Sequence, residues 1–331
     1  MNVLARIRRR FAYAWPAIAF ALALLAMNVA IDRSFLDSSN WPSILTVAMP
    51  FILVSMAAAP AIISGGVDLS IGPAAGVVNA VLIAWLAPAG WTSPIVVIAA
   101  TLAIGLVVGA ANGAVTAWLR VPSIIATLGS YLVLSGLTLE ILPMSGGRAP
   151  DWMIALAGRI GVFPLPLLIP AAVFLAWAPI RASAFGRNLL ASGGEPRAAF
   201  ASGIDVARTR FVAFLASSVV AAVTGFAFTV SLGSGDPTAA TPYTLIGIAG
   251  AVLGGVGLSG GRGGLLGAAA GGAVLFLVQN LLSLAHVSAF YAQIAYGAIL
   301  LVALVLNGLA ESARHRRDRL ASLRLSETAI R

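Results

Sequence analysis

The sequence predicts an all-α integral membrane protein of about ten transmembrane helices, built as two pseudo-repeated halves with Gly-rich broken segments, with both termini cytoplasmic. Three observations carry this. Only 9% of the 331 residues are charged and 60% are hydrophobic, whereas a soluble domain carries about 25% charge. Charges are also missing from long stretches: none lies between Phe211 and Gly235, or between Gly263 and Ala310. A surface so poor in charge suits lipid as its solvent. The arginines, finally, divide unevenly between the two sides of the membrane.

A helix needs about 20 residues to cross the hydrocarbon. In chain order the apolar stretches are Tyr13–Ile31, Pro42–Ile63, Pro73–Ala87, Ser93–Leu119, Pro122–Leu139, Val162–Ile180, Phe211–Ser231, Thr244–Ser259, Gly264–Ala285 and Ser288–Leu309. The first follows Arg6, Arg8, Arg9 and Arg10. It exceeds a signal-peptide core of about 7–15 residues, so an uncleaved span is expected. Pro73–Ala87 and Thr244–Ser259 would reach only ~22–24 Å against a core of ~30 Å, and are expected to continue through irregular backbone. With the N-terminus inside, seventeen of the twenty arginines face the cytoplasm, and Arg33, Arg148 and Arg159 face out. That asymmetry supports both the count and the orientation. Residues 1–310 then form the membrane domain, with a cytoplasmic loop at about 181–210, and 311–331 form a basic cytoplasmic tail.

Composition also excludes chemistry. There is no Lys and no Cys, and the two histidines are His286 and His315. A P-loop needs its Lys, so this chain does not hold ATP that way; no cofactor is expected in it. Cys redox chemistry and Cys/His zinc sites are excluded. Ser64, Ser70 and Ser259 have no nearby His or Lys base, so an activated Ser nucleophile is not expected. The net charge of +9 fits Arg clusters that orient a membrane protein, not nucleic-acid binding.

Gly65-Gly66-Val67-Asp68-Leu69-Ser70-Ile71-Gly72 is echoed by Gly254-Gly255-Val256-Gly257-Leu258-Ser259-Gly260-Gly261, with six of eight positions identical. Each copy adjoins one short span. Paired, Gly-interrupted segments in two halves point to a translocation pathway; Gly also simply permits close helix crossing. Packing is the reading for Gly105, Gly109 and Gly113, for Gly250 and Gly254, and for Gly267 and Gly271. Asp68 is a carboxylate flanked by long apolar segments, and two compatible readings stand: a functional ionisable group or a cap on the next half-helix. Asn28, Asn79, Asn112, Gln279, Asn280 and Gln293 lie inside spans, where amides either bind a hydroxyl-rich solute or bond between helices. Trp85, Tyr131 and Tyr291 would stack on a sugar face or anchor at the interface. The expected pathway residues are Gly65, Gly66, Asp68, Ser70, Asn79, Gly254, Gly255, Ser259, Gln279 and Asn280.

In the cytoplasmic loop, Pro196 suits the first turn of a short helix, Glu195 its positive end and Gly203 its termination. Such a helix serves either as a docking peg for a partner or as a connector.

At this point the motifs resemble a known family. Ser64-Gly65-Gly66-Val67-Asp68-Leu69-Ser70-Ile71-Gly72 resembles the SGGxDLSxG hallmark of ribose-type sugar permeases, the membrane subunits of ATP-binding cassette importers. Val121–Gly129 is similar to their VPxFIxTLG element, and Gly186–Ile204 to their loop segment. Pro237-Thr238-Ala239 with Tyr243, and Val252 through Gly263, resemble their PTAG…VLGGxSLxGG region, without its Glu and Asp after the Tyr. The likeness runs in order from about residue 42 to 308. It implies a multi-pass protein of the bacterial inner membrane that pairs with a second permease copy or paralogue and with a cytoplasmic ATP-binding subunit holding ATP and Mg. It also implies delivery of a monosaccharide-like solute by a periplasmic solute-binding protein. The ATPase-coupling loop then maps to Gly186, Arg187, Gly194, Glu195, Arg197, Ala199, Ser202 and Gly203. The alternative is an ion-coupled secondary transporter, for which Asp68 is the one acidic candidate; a membrane scaffold is a third.

Overall fold

Apolar runs become helices wherever nothing interrupts them. The computed structural model describes residues 13–288, 291–299, 301–302 and 305. Its helices are α1 (Trp15–Ile31), α2 (Trp41–Ile63), α3 (Ile71–Ala80), α4 (Pro94–Ala117), α5 (Ser123–Ile141), the short α6 (Asp151–Ala155), α7 (Leu168–Ala182), α8 (Ala184–Gly194), α9 (Pro196–Ala201), α10 (Val206–Leu232), α11 (Tyr243–Leu253) and α12 (Leu265–Leu284). Residues 291–299 are helical as well. Among the described residues six helical stretches are long and apolar enough to cross a membrane, and α1, α3 and α11 are shorter apolar helices. The tenth expected span, 288–309, lies only partly within the described residues, and the expected termini and tail 311–331 lie outside them.

The two short spans continue through irregular backbone, as expected, but with other bounds. α3 widens into a π-helical turn at Val81–Leu86, so Ile71–Leu86 extends ~24 Å. α11 stops at Leu253, six residues before the expected end. Gly255 is the cause. It sits at φ +81°, with its N–H bonded to Val252 O (3.0 Å) and Val256 N–H bonded to Ala251 O (3.0 Å). α2 ends on the same device: Gly65 at φ +81°, its N–H on Ile62 O (2.9 Å), and Gly66 N–H on Ala61 O (3.0 Å). Both are Schellman caps. Structurally, therefore, Gly65 pairs with Gly255, one residue off the match that sequence identity suggests. The expected start of the sixth span is also corrected. Phe163–Pro164 forms a two-residue strand against Arg159–Ile160, and the helix begins only at Leu168.

α2 and α10 form the centre: 89% and 67% of their apolar windows are buried, against 22% for α4 and α5. Burial of a helix on all sides removes the need for a polar face, which is why these two carry apolar or small residues all round. Small residues let the backbones close in. Gly105, Gly109 and Gly113 of α4 lie on Val219, Leu215 and Phe211 of α10, and an added Cβ would meet the Cα of Leu215 at 2.7 Å. Gly250 of α11 and Gly254 just past its end lie likewise on Gly271 and Gly267 of α12. The packing reading of these glycines is what the helices show.

Opposite the end that carries α8 and α9, two loops join. Gly146 and Gly235 exchange backbone hydrogen bonds of 2.9 Å each, and Ala149 N–H donates to Gly233 O at 2.9 Å.

Candidate translocation and coupling site

The chain between α2 and α3 crosses the protein interior without helix, so its backbone polar groups need partners from elsewhere. Neighbouring helices supply them as hydroxyls. Ser123 Oγ of α5 accepts Val67 N–H (3.1 Å), and Thr127 Oγ1, one turn on, accepts Leu69 N–H (3.0 Å) and lies 3.2 Å from Val67 O. Thr244 Oγ1 of α11 accepts Gly72 N–H (3.2 Å) and reaches Leu69 O (3.2 Å). The broken segment is thus pinned between α5 and α11.

Asp68 anchors the same segment and is buried. Its Oδ1 accepts the N–H (2.9 Å) and the hydroxyl (2.6 Å) of Ser70. Its Oδ2 faces the hydroxyls of Ser217 (3.3 Å) and Ser218 (3.5 Å) on α10. Ser70 Oγ in turn accepts from Asn112 Nδ2 of α4 at 2.8 Å. The carboxylate therefore closes the turn that leads to Ser70, the N-cap of α3, and ties it to the central helix, without itself bonding an N–H of the helix.

The other expected pathway residues are placed as follows. Asn79 is buried; its amide donates to Thr229 Oγ1 (2.9 Å) and Ser234 O (3.1 Å) and accepts Asp236 N–H (2.9 Å), fixing the loop after α10. Asn280 Nδ2 donates to Asn28 Oδ1 (2.8 Å), a bond between α12 and α1. Gln279 accepts the hydroxyl of Tyr296. Gly254 packs on Gly267 and Gly255 on Tyr13, so this pair does not face Gly65 and Gly66. Gly66 lies on Phe214 of α10, and Ser259 is exposed on its loop.

What does meet the first broken segment is the far end of the second. Gly261 N–H donates to Ile63 O at 2.9 Å. Gly193 of α8 lies against that same carbonyl, so close that a Cβ there would overlap the oxygen. A Cβ on Gly260 would fall 2.9 Å from Gly65 Cα, and one on Gly261 would fall 2.5 Å from Gly194 Cα. Three chain segments thus meet backbone to backbone: the end of α2, the end of α8 and the Gly260–Gly261 turn. Of the expected coupling residues, Gly194 lies in this junction and Gly186 packs on Arg181 O. Arg187, Glu195, Arg197, Ser202 and Gly203 are exposed, and Ala199 is buried. The loop helix begins at Pro196 after Glu195, and the chain turns at Gly203 (φ +82°), as the sequence predicts.

A cavity of about 550 Å³ opens between α5, α11 and residues 291–299. Its walls include Leu69, Tyr131, Thr241, Thr244, Gln293 and Tyr296. None of the ten expected pathway residues lines it; Leu69, between Asp68 and Ser70, does. Tyr131 and Gln293 are the aromatic and the amide that the sequence offers for a hydroxyl-rich ligand. Among the described residues, no cluster of three or more His, Cys, Asp or Glu is placed to hold a metal ion.

Residues 41–304 match the family described as branched-chain amino acid transport system / permease component. The autoinducer 2 import system permease protein LsrC of Escherichia coli (strain K12 / DH10B) is 30% identical over 310 residues, covering 91% of this chain and 88% of that protein. The ribose import permease protein RbsC of Escherichia coli (strain K12) is 30% identical over 313 residues, covering 91% and 96%. No solved structure matches. Family coverage of most of the chain, together with the apolar helices, makes this a multi-pass inner-membrane protein. The chain belongs to this permease family, the family of the ribose-type importer permeases.

Proposed function

We propose that this chain is the permease subunit of an ATP-binding cassette importer for a monosaccharide or similar polyhydroxylated solute. It works by alternating access beside a second permease copy or paralogue. ATP and Mg are bound and ATP is hydrolysed by a separate cytoplasmic subunit, and a periplasmic binding protein delivers the solute. The observation that carries the reading is the three-segment junction. It joins the loop ending in α8 to both broken segments, so a push on α8 and α9 is delivered at Ile63, Gly65 and Gly261 together. A conformational change travels through contiguous packed contacts of this kind. The cavity beside Leu69 supports the solute class: hydroxyl, amide and aromatic groups in a mainly apolar wall suit a sugar, whose ring presents both faces. The relatives' substrates, autoinducer 2 and ribose, are likewise small and oxygen-rich.

The test is uptake of a panel of labelled pentoses, hexoses and polyols by cells carrying the permease with and without its ATPase subunit. Uptake of one solute that requires the ATPase is expected. Uptake that persists without the ATPase and follows the proton gradient would establish the ion-coupled alternative instead.

A further inference from the structure

Beneath the junction lies charge that the fold leaves unused. A cleft of about 400 Å³ opens between the end of α4, α9 and the start of α10. Arg120, Arg210, Phe200 and Asp205 line it. Arg210 Nε is buried without a hydrogen-bond partner. Among the described residues the ion pair that forms is Arg148–Asp151, remote from the cleft, so neither cleft arginine is paired. Asp205 already accepts Arg208 N–H at 2.8 Å as the cap of α10. Arg120 is held at φ +57°, a backbone region that residues other than glycine rarely adopt and that clusters at functional positions. Phe200 stands 75% exposed beside them.

Two guanidinium groups facing one cleft repel unless an anion lies between them. Asp205, the acid in the cleft lining, forms no ion pair with either arginine and offsets one charge of the two, so the cleft keeps a net positive charge for an outside anion to match. An exposed aromatic next to arginines is the composition of a protein-interface hot spot, and Phe200 belongs to the loop helix beyond the span ends. We infer that the cleft receives a carboxylate side chain of the separate ATP-hydrolysing subunit, with Arg120 and Arg210 as its paired donors and Phe200 packed alongside. This rests on the proposed function and goes beyond it by locating an electrostatic anchor off the loop helix itself. Arg210 also reaches the first broken segment: a Cβ on Gly65 would sit 3.9 Å from its Nη2. One side chain thereby touches both the partner and the turn that the junction moves.

The experiment uses full-length permease in nanodiscs of neutral lipid, titrated with its ATPase subunit. The double variant Arg120→Ala/Arg210→Ala is expected to bind ~30-fold more weakly or worse, and to lose much of the salt dependence of the wild type. Phe200→Ala, a change at an exposed position, should weaken binding several-fold and keeps the test valid if the double variant misfolds. Wild-type affinity in the folded variants overturns the inference. So does an effect that appears only with anionic lipid in the disc, which would make the cleft a lipid-headgroup site. If the wild type itself does not bind the ATPase subunit, the functional reading falls instead.

Discussion

Replacing Gly193 by alanine adds a methyl group where the junction has no room. The new Cβ would overlap Ile63 O, the atom that accepts Gly261 N–H at 2.9 Å. Either α8 withdraws or the Gly260–Gly261 turn is expelled. Overpacking a tight contact costs ~1–3 kcal/mol, and a broken backbone hydrogen bond adds ~1 kcal/mol. The closed junction should lose ~2–4 kcal/mol, a shift of ~30-fold or more in its population. Hydrogen exchange reads this directly: the Gly261 amide should exchange faster by about that factor, and ATP-driven uptake should fall while the ATPase subunit still binds. Gly194→Ala is the matched control. Its Cβ would meet Gly261 Cα at 3.6 Å, an ordinary contact, so it should behave as wild type. Unchanged exchange and uptake in Gly193→Ala would refute the junction as a mechanical link.

Three further outcomes are expected. Thr127→Val leaves Leu69 N–H and Val67 O without their hydroxyl partner, costing ~1–3 kcal/mol in thermal unfolding, and Thr127→Ser should restore it. Tyr131→Ala or Gln293→Ala, both in the cavity wall, should lower uptake of the transported solute ~5- to 10-fold while leaving its binding protein's affinity unchanged. Asp236, in the loop after α10, is pushed upward by partial burial, but hydrogen bonds from the N–H and hydroxyl of Thr238 and from Ala239 N–H outweigh this and hold its carboxyl below the usual 3.8. Its contribution to loop order is therefore present above about pH 4 and lost as pH falls through the lowered value; amide exchange of 233–239 against pH should show that loss, and Asp236→Asn should flatten it.

Much of this was legible in the residues. The apolar runs located the helices, and Glu195-Pro196 with Gly203 bounded the loop helix, because these signals are local. The repeat of Gly-Gly-Val located both broken segments but not their register, since two Schellman caps use the glycine at φ +81° and not the best-matching pair of letters. Ser123, Thr127 and Thr244 escaped notice. Hydroxyls in apolar helices usually bond the carbonyl four residues back, as Thr101 and Thr138 do here, and nothing in the sequence separates the few that also reach a neighbouring chain segment. Asn280 illustrates the converse: a span amide placed by sequence in the pathway bonds Asn28. The Gly146–Gly235 pairing joins positions 89 apart with no shared pattern to betray it.

The unequal lengths of the two helix breaks have a consequence for motion. Seven residues separate α2 from α3, whereas eleven separate α11 from α12. The first break is pinned by the hydroxyls of α5 and α11. The second has length to spare, and spends it as a strut that leans its Gly260–Gly261 tip on the first. Under the proposed coupling the two breaks would not move as mirror images: a thrust on α8 would reach the first through Ile63 O and the second through Gly261 N–H.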